Sequence, residues 1–228
     1  NYFYLTTNPF PLPLRTSVTV CYYNRHYGLS RTYLRPLLWQ WTYLQALNDA
    51  CESRRMPGKI VRVTVNRKGA KAIKRAEKTG ISTNYFNLIS NGFYALGEKD
   101  ALRIKEARSK YDSALAQRIL QDKPEPVVMA GWMHIFSEAF LRPLKAVGIS
   151  VINLHRSARR VSLYHSTGRY DGAGATQRAF EDIKASKLEN NTTGLVIHGA
   201  VEEVDRGDAI LQQAIEVKGP DTLEDLSE

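Results

Sequence analysis

The chain has 228 residues, 43% of them hydrophobic, and a formal net charge of +9. A chain of this length buries roughly 70% of its unfolded surface and suits a single globular domain. No run approaches the ~18 consecutive apolar residues of a membrane span, and the start lacks the cationic and apolar regions of a signal peptide, which disfavours a membrane-spanning or secreted protein and predicts a cytoplasmic one. The positive excess lies in residues 1–60 and 151–170; within the remainder, 61–150 is basic and 171–228 acidic. That is a polarised surface rather than a nucleic-acid stripe, and it suits small phosphate-bearing substrates. Cys21 and Cys51 stand in no metal-ligand spacing, so they are expected to be reduced and structural, and no metal site is predicted.

In chain order, residues 1–15 hold Pro9, Pro11 and Pro13 and read as an extended lead-in to one domain over 16–228. Residues 16–23 alternate like a strand, 24–40 are basic and aromatic without a clean period, and 43–53 suit a helix. From residue 59, short β-branched runs alternate with helical patterns: strand 59–65, helix 70–79, helix 101–121, strand 126–130, helix 137–146, strand 150–154 and helix 175–186. The helix over 101–121 carries Leu102, Ala107, Tyr111, Ala114, Leu115, Arg118 and Ile119 at the spacing of one buried stripe. Two last apolar runs, 194–201 and 209–217, flank the charged turn Asp205-Arg206-Gly207-Asp208 and predict an antiparallel hairpin. The fold class is therefore α/β, a mostly parallel twisted sheet with helices on both faces and a C-terminal hairpin.

Ligands of such sheets bind outside the carboxyl ends of strands, which directs attention to 131–137, 153–155 and 202–207. Asn153 and His155, two apart at a strand end, project toward the same face. A carboxamide there can donate to a developing oxyanion, and an imidazole can take a proton from an attacking amine and return one to a leaving group. Asp205 can supply a carboxylate that stabilises the imidazolium. By spacing alone, an Asn-x-His pair is more often a strand-end turn with a hydrogen-bonded histidine.

The segment 127–153, VVMAGWMHIFSEAFLRPLKAVGISVIN, resembles the glycinamide ribonucleotide formyltransferase family, in a fungal-like wording. The likeness continues through Leu154-His155, GRYDGAGATQRAF over 168–180 and KLENNTTGLVIHGAVEEVDRGDAILQQAI over 187–215. Upstream, KIVRVTVNRKGAKAIKRAE over 59–77 is similar to the family's second βα unit and RSKYDSAL over 108–115 to its arginine-bearing helix start. The resemblance implies a Rossmann-like formyltransferase fold and transfer of a formyl group from 10-formyltetrahydrofolate to the amino group of glycinamide ribonucleotide in purine synthesis, without a metal. It implies Asn153, His155 and Asp205 as the catalytic trio, with His198 near that centre. Met133, His134, Ile135 and Phe136 match the loop lining the pterin pocket, and Val201, Glu202, Glu203 and Val204 the loop that closes over the folate head. Arg108 matches an arginine of the substrate cleft. Read without the resemblance, Trp132, Met133 and Phe136 are also a core-edge cluster, Arg108 a solvated helix arginine, and His198 a strand histidine satisfied by hydrogen bonds.

Three departures from the family pattern bear on activity. The glycine-rich turn that cradles substrate phosphate is replaced by Trp39-Gln40-Trp41-Thr42-Tyr43, where bulky residues disfavour close backbone approach, leaving Thr42 as a hydroxyl donor. Residues 24–39 look inserted before it. After His155 the chain reads RSARRVSLYHST over 156–167 in place of a proline and short loop. The sequence stops at Glu228, as the family's last helix would begin at Asp221, before a phosphate-contacting lysine. Segments 24–43 and 156–167 thus set two alternatives beside each other: a working formyltransferase, and an impaired relative that retains folate binding. Transfer to another amine acceptor, such as an aminoacyl-tRNA, is a third.

Overall fold

The computed structural model describes residues 16–22, 42–56, 58–132, 134–156, 175–187, 192–202 and 207–216. The elements are β1 (Thr16–Tyr22), α1 (Thr42–Glu52), β2 (Gly58–Val65), α2 (Lys71–Lys78), β3 (Ser82–Tyr85), α3 (Ala101–Asp122), β4 (Pro126–Ala130), α4 (Glu138–Ala146), β5 (Ser150–Arg156), α5 (Ala175–Lys184), β6 (Thr192–Gly199) and β7 (Ala209–Glu216). The lead-in 1–15, the stretch 24–40, the loop beyond Arg156 and the helix expected from Asp221 lie outside the described residues.

The strands form one sheet in the order β3-β2-β1-β4-β5-β6-β7. Pairing is parallel from β3 through β5 and antiparallel for β5 with β6 and β6 with β7. The strand order reverses between β1 and β4, the kind of switch point at which loops diverge and leave a crevice. In β2, Val63 and Val65 are fully buried and so is Thr64 between them, as a parallel strand covered on both faces requires. One face packs against α1 and α2 through Leu44, Ile60, Val63, Val65, Ala72 and Ala76. The other packs against α3 and α4 through Tyr111, Leu115, Ile119, Val127, Phe140 and Leu144. Helices on both faces of a parallel sheet with an antiparallel hairpin at its end match the expected architecture.

Three details differ from the sequence reading. β3 was not anticipated, because Ser-Thr-Asn-Tyr is too short and too polar to show an apolar alternation; it forms as an edge strand in register with β2 over residues 62–65. β5 runs past residue 154 to Arg156, since β6 supplies partners as far as Leu195. On α3 the buried stripe is Ala107, Tyr111, Asp112, Leu115, Ala116 and Ile119, while Leu102 is 79% exposed. Leu102 lies in the first turn, where Asp100 caps the helix by accepting from the Leu102 and Arg103 N–H groups, and that turn projects beyond the sheet contact. Arg118 is exposed, with its guanidinium 4.5 Å from the Phe86 ring centroid. Burial pushes the Cys51 thiol pKa up, against a backbone hydrogen bond at Ile60 that lowers it, in keeping with a structural cysteine. Among the described residues no helix is long and apolar enough to cross a membrane.

The carboxyl end of α3 is fixed to β2 by Arg62, whose Nε and Nη2 donate to the two Asp122 oxygens at 2.6 and 2.7 Å. The Asp122 carboxylate holds the Arg62 guanidinium above its already high ordinary pKa. Because the Asp122 side chain is only 11% exposed, removing its partner strands a desolvated charge. Arg62→Met is expected to lower unfolding stability by about 2 kcal/mol, more than an exposed pair contributes; a urea midpoint equal to that of the wild type would refute this.

Candidate active site

Asn153 and His155 lie toward the carboxyl end of β5, both half-buried. β6 runs antiparallel beside them, with Asn153 opposite His198 and His155 opposite Val196, so all four side chains share one face. His198 is 3% exposed and engaged at both ring nitrogens. Its Nδ1 lies 2.9 Å from the Gly199 carbonyl oxygen, which can only accept, so the ring proton belongs on Nδ1. Nε2 then presents its lone pair to Asn153 Nδ2 at 3.3 Å. This chain of donors fixes the orientation of the carboxamide, with its nitrogen toward His198. His198 is thus a satisfied strand histidine, and the same contacts hold the Asn153 carboxamide.

β4 ends one residue past the partner of Asn153, since Met129 pairs with Asn153. Gly131 follows at φ +69°, a left-handed conformation that suits glycine, and turns the chain into the segment 132–137. Trp132 and Phe136 are buried at 6% and 4% exposure, and Phe136 stacks on Phe140 at 3.7 Å. The core-edge reading thus holds for these two, and Phe136 forms the floor of the loop rather than its rim. Ile135 is half-exposed on the same loop, and Met133 lies outside the described residues.

His134 carries the least expected contacts. Its Nε2 is 2.6 Å from Asp112 Oδ1, and its Nδ1 is 3.3 Å from Arg108 Nη2. Asp112, 1% exposed, accepts in addition from the Ser137 N–H at 2.8 Å and the Ser137 hydroxyl at 2.7 Å. Arg108, expected in the substrate cleft, is therefore joined to the loop expected to line the pterin pocket. Asp112 was missed by the sequence reading. Its signal was an acid adjoining the apolar stripe of α3, four residues after Arg108, where a buried carboxylate demands partners.

The remaining expected residues divide cleanly. Val201 and Glu202 are exposed and follow Ala200, whose N–H donates to the Val151 carbonyl and which packs on the core cluster containing Trp132 and Phe136. Both loops thus leave from one core cluster. Glu203, Val204 and Asp205 lie outside the described residues, as does the side chain of Thr42, the first residue of α1. Gly207, two positions after Asp205, is buried against Gly199: a Cβ built on it would fall 1.6 Å from the Gly199 carbonyl oxygen and 3.3 Å from His198 Nδ1. The chain after Asp205 therefore returns to the Asn153–His198 pair.

An open, mostly parallel sheet with helices on both faces defines an α/β protein, and on the face shared by β5 and β6 it brings together an amide and two imidazoles, side chains of the kind that acid–base and oxyanion chemistry uses. The model of the formyl transferase family matches residues 39–228. The phosphoribosylglycinamide formyltransferase of Schizosaccharomyces pombe is 35% identical over 187 residues, spanning 81% of this chain and 82% of that one. Its counterpart in Dictyostelium discoideum is 36% identical over 190 residues, spanning 82% and 84%. The crystal structure of glycinamide ribonucleotide transformylase 1 from Symbiobacterium toebii superposes with a TM-score of 0.65 at 23% identity, over 94% of this chain and 79% of that one, which establishes the shared fold. The chain belongs to the formyl transferase family.

Because the Gly207 contact is with backbone, a methyl group there cannot be relieved by a side-chain rotation. Gly207→Ala should destabilise the protein by about 2–3 kcal/mol, the scale of overpacking at a rigid site, and shift the His198 ring resonances. Wild-type stability with an unmoved His198 would show that the contact is slack.

Proposed function

We propose that this chain transfers the formyl group of 10-formyltetrahydrofolate to the amino group of glycinamide ribonucleotide, a step of purine biosynthesis in the cytoplasm. The observation that carries this reading is the Asn153 carboxamide held by His198 on the face it shares with His155, in a chain of the formyl transferase family. The substrate amine attacks the formyl carbon, forming a C–N bond while the carbonyl electron pair moves to oxygen. Asn153 Nδ2 stabilises that oxyanion, and a preorganised donor of this kind contributes ~3 kcal/mol of transition-state stabilisation. His155 takes the proton of the attacking amine and supplies one to the departing nitrogen of tetrahydrofolate as the tetrahedral intermediate collapses. Asp205 is assigned to stabilise the imidazolium, on the resemblance alone.

The folate half is assigned to the loop after β4, where Ile135 offers exposed apolar surface. Val201 and Glu202 start the second loop from the same core cluster and are assigned, with Met133, Glu203 and Val204, to cover the folate. For the nucleotide half, the absence of glycine from residues 39–43 favours weak phosphate retention at the start of α1.

His155→Ala should abolish transfer while a folate analogue still binds within about threefold of wild type; unchanged turnover, read as loss of formyl donor absorbance with glycinamide ribonucleotide present, removes the assignment. Calorimetry is expected to show tighter binding of the folate analogue than of glycinamide ribonucleotide. The reverse order would mean that the phosphate is held by residues other than a glycine-rich turn.

A further inference from the structure

The geometry points to Asp112 and His134 as positioning residues that aim the Arg108 guanidinium at an anionic group of a substrate, an inference that rests on the proposed transfer reaction for the identity of that substrate. Arg108 and Asp112 are four residues apart on α3, the spacing at which arginine and carboxylate ordinarily pair directly. Here the His134 ring is hydrogen-bonded to both, to Asp112 through Nε2 and to Arg108 through Nδ1. Arginine has donors and no acceptor, so the Arg108 contact requires a lone pair on Nδ1 and places the ring proton on Nε2. That proton points at Asp112 Oδ1, 2.6 Å away. The other carboxylate oxygen is filled by the Ser137 N–H and hydroxyl, which leaves Asp112 to hold the imidazole in one tautomer and one orientation.

The His134 and Asp112 side chains are 7% and 1% exposed, whereas Arg108 is half-buried. The polarity of the chain thus runs from an interior carboxylate through the ring to a cation at the surface. Tyr111 and Phe136 stand edge-on to the ring, at 5.3 Å each, and restrict its rotation. A hydrogen bond to His134 occupies one N–H of a guanidinium that carries five, so the group is oriented while four donors remain. Its complement is an oxyanion group, a nucleotide phosphate or a carboxylate of the folate tail.

The ring state is testable without ligand. Long-range ¹⁵N correlation spectra should show His134 with its proton on Nε2, and Arg108→Leu should leave it there because Asp112 still accepts from that nitrogen; a wild-type Nδ1–H signal overturns the proposal. Calorimetry then uses three probes: a folate analogue with its glutamate tail, the same analogue without it, and glycinamide ribonucleotide. His134→Leu should weaken the probe whose anion Arg108 holds by roughly tenfold, the scale of one charge-assisted hydrogen bond, and His134→Gln, which keeps a donor and an acceptor, should recover part of it. In an Arg108→Leu background His134→Leu should have no further effect. Equal weakening of the tail-less analogue, or additive losses in the double variant, would show that His134 only supports the loop and would overturn the relay. Failure of formyl transfer in the wild type with an intact relay in these measurements would instead count against the reaction assigned above.

Discussion

The register between β5 and β6 is the constraint on which the site depends. Asn153 faces His198 only because the two strands pair antiparallel with Ile152 opposite Gly199. Side chains alternate along a strand, so a slip of one residue would send the carboxamide and the imidazole to opposite faces of the sheet. The slip is opposed from both sides. Val196, 2% exposed, is on the face it must occupy, and the Ala200 N–H is already committed to the Val151 carbonyl. Gly207 adds a steric stop behind Gly199. A polar pair at the end of a sheet is thereby placed by apolar burial and backbone contacts some residues away.

Asp112 plays the same part on the neighbouring loop. A carboxylate so deeply buried is tolerable only with its oxygens filled, and it receives the backbone amide and hydroxyl of Ser137 together with the ring of His134. Ser137 stands at the start of α4, yet its hydroxyl makes no helix cap and is directed to Asp112 instead. The entry of α4 is thus fixed from outside the helix. With Phe136 stacked on Phe140 beneath, the loop after β4 has a polar anchor on one side and an aromatic one on the other.

Much of this was legible in the sequence where periodicity or chemistry was local. The helices and the four longer parallel strands show their patterns within a few residues, and the turn at 205–208 announces the hairpin. β3 did not, because an edge strand needs no apolar face. The Asn153–His155 pair was visible as spacing, while the contact of His198 with Asn153 depends on a strand pairing 45 residues distant. The signal of Asp112 was weak for a related reason: beside Tyr111 it reads as the solvent-facing neighbour of a core aromatic, and its partners lie 22 and 25 residues along the chain. Arg108 was expected at the substrate and His134 at the pterin, and nothing in either local pattern joined them.

α3 makes contacts of different kinds along its 22 residues, a length of about 33 Å. Asp122 grips β2 near one sheet edge, Asp112 holds the loop after β4, and Arg108 reaches outward one turn earlier. An unbroken helix behaves as a strut. An axial shift by the rise of a single residue, about 1.5 Å, would break the ion pair at one end and the imidazole contact at the other together. Geometry at these distant points is therefore linked through the helix, and an axial displacement at the β2 edge would reach the guanidinium as a change of position rather than of charge.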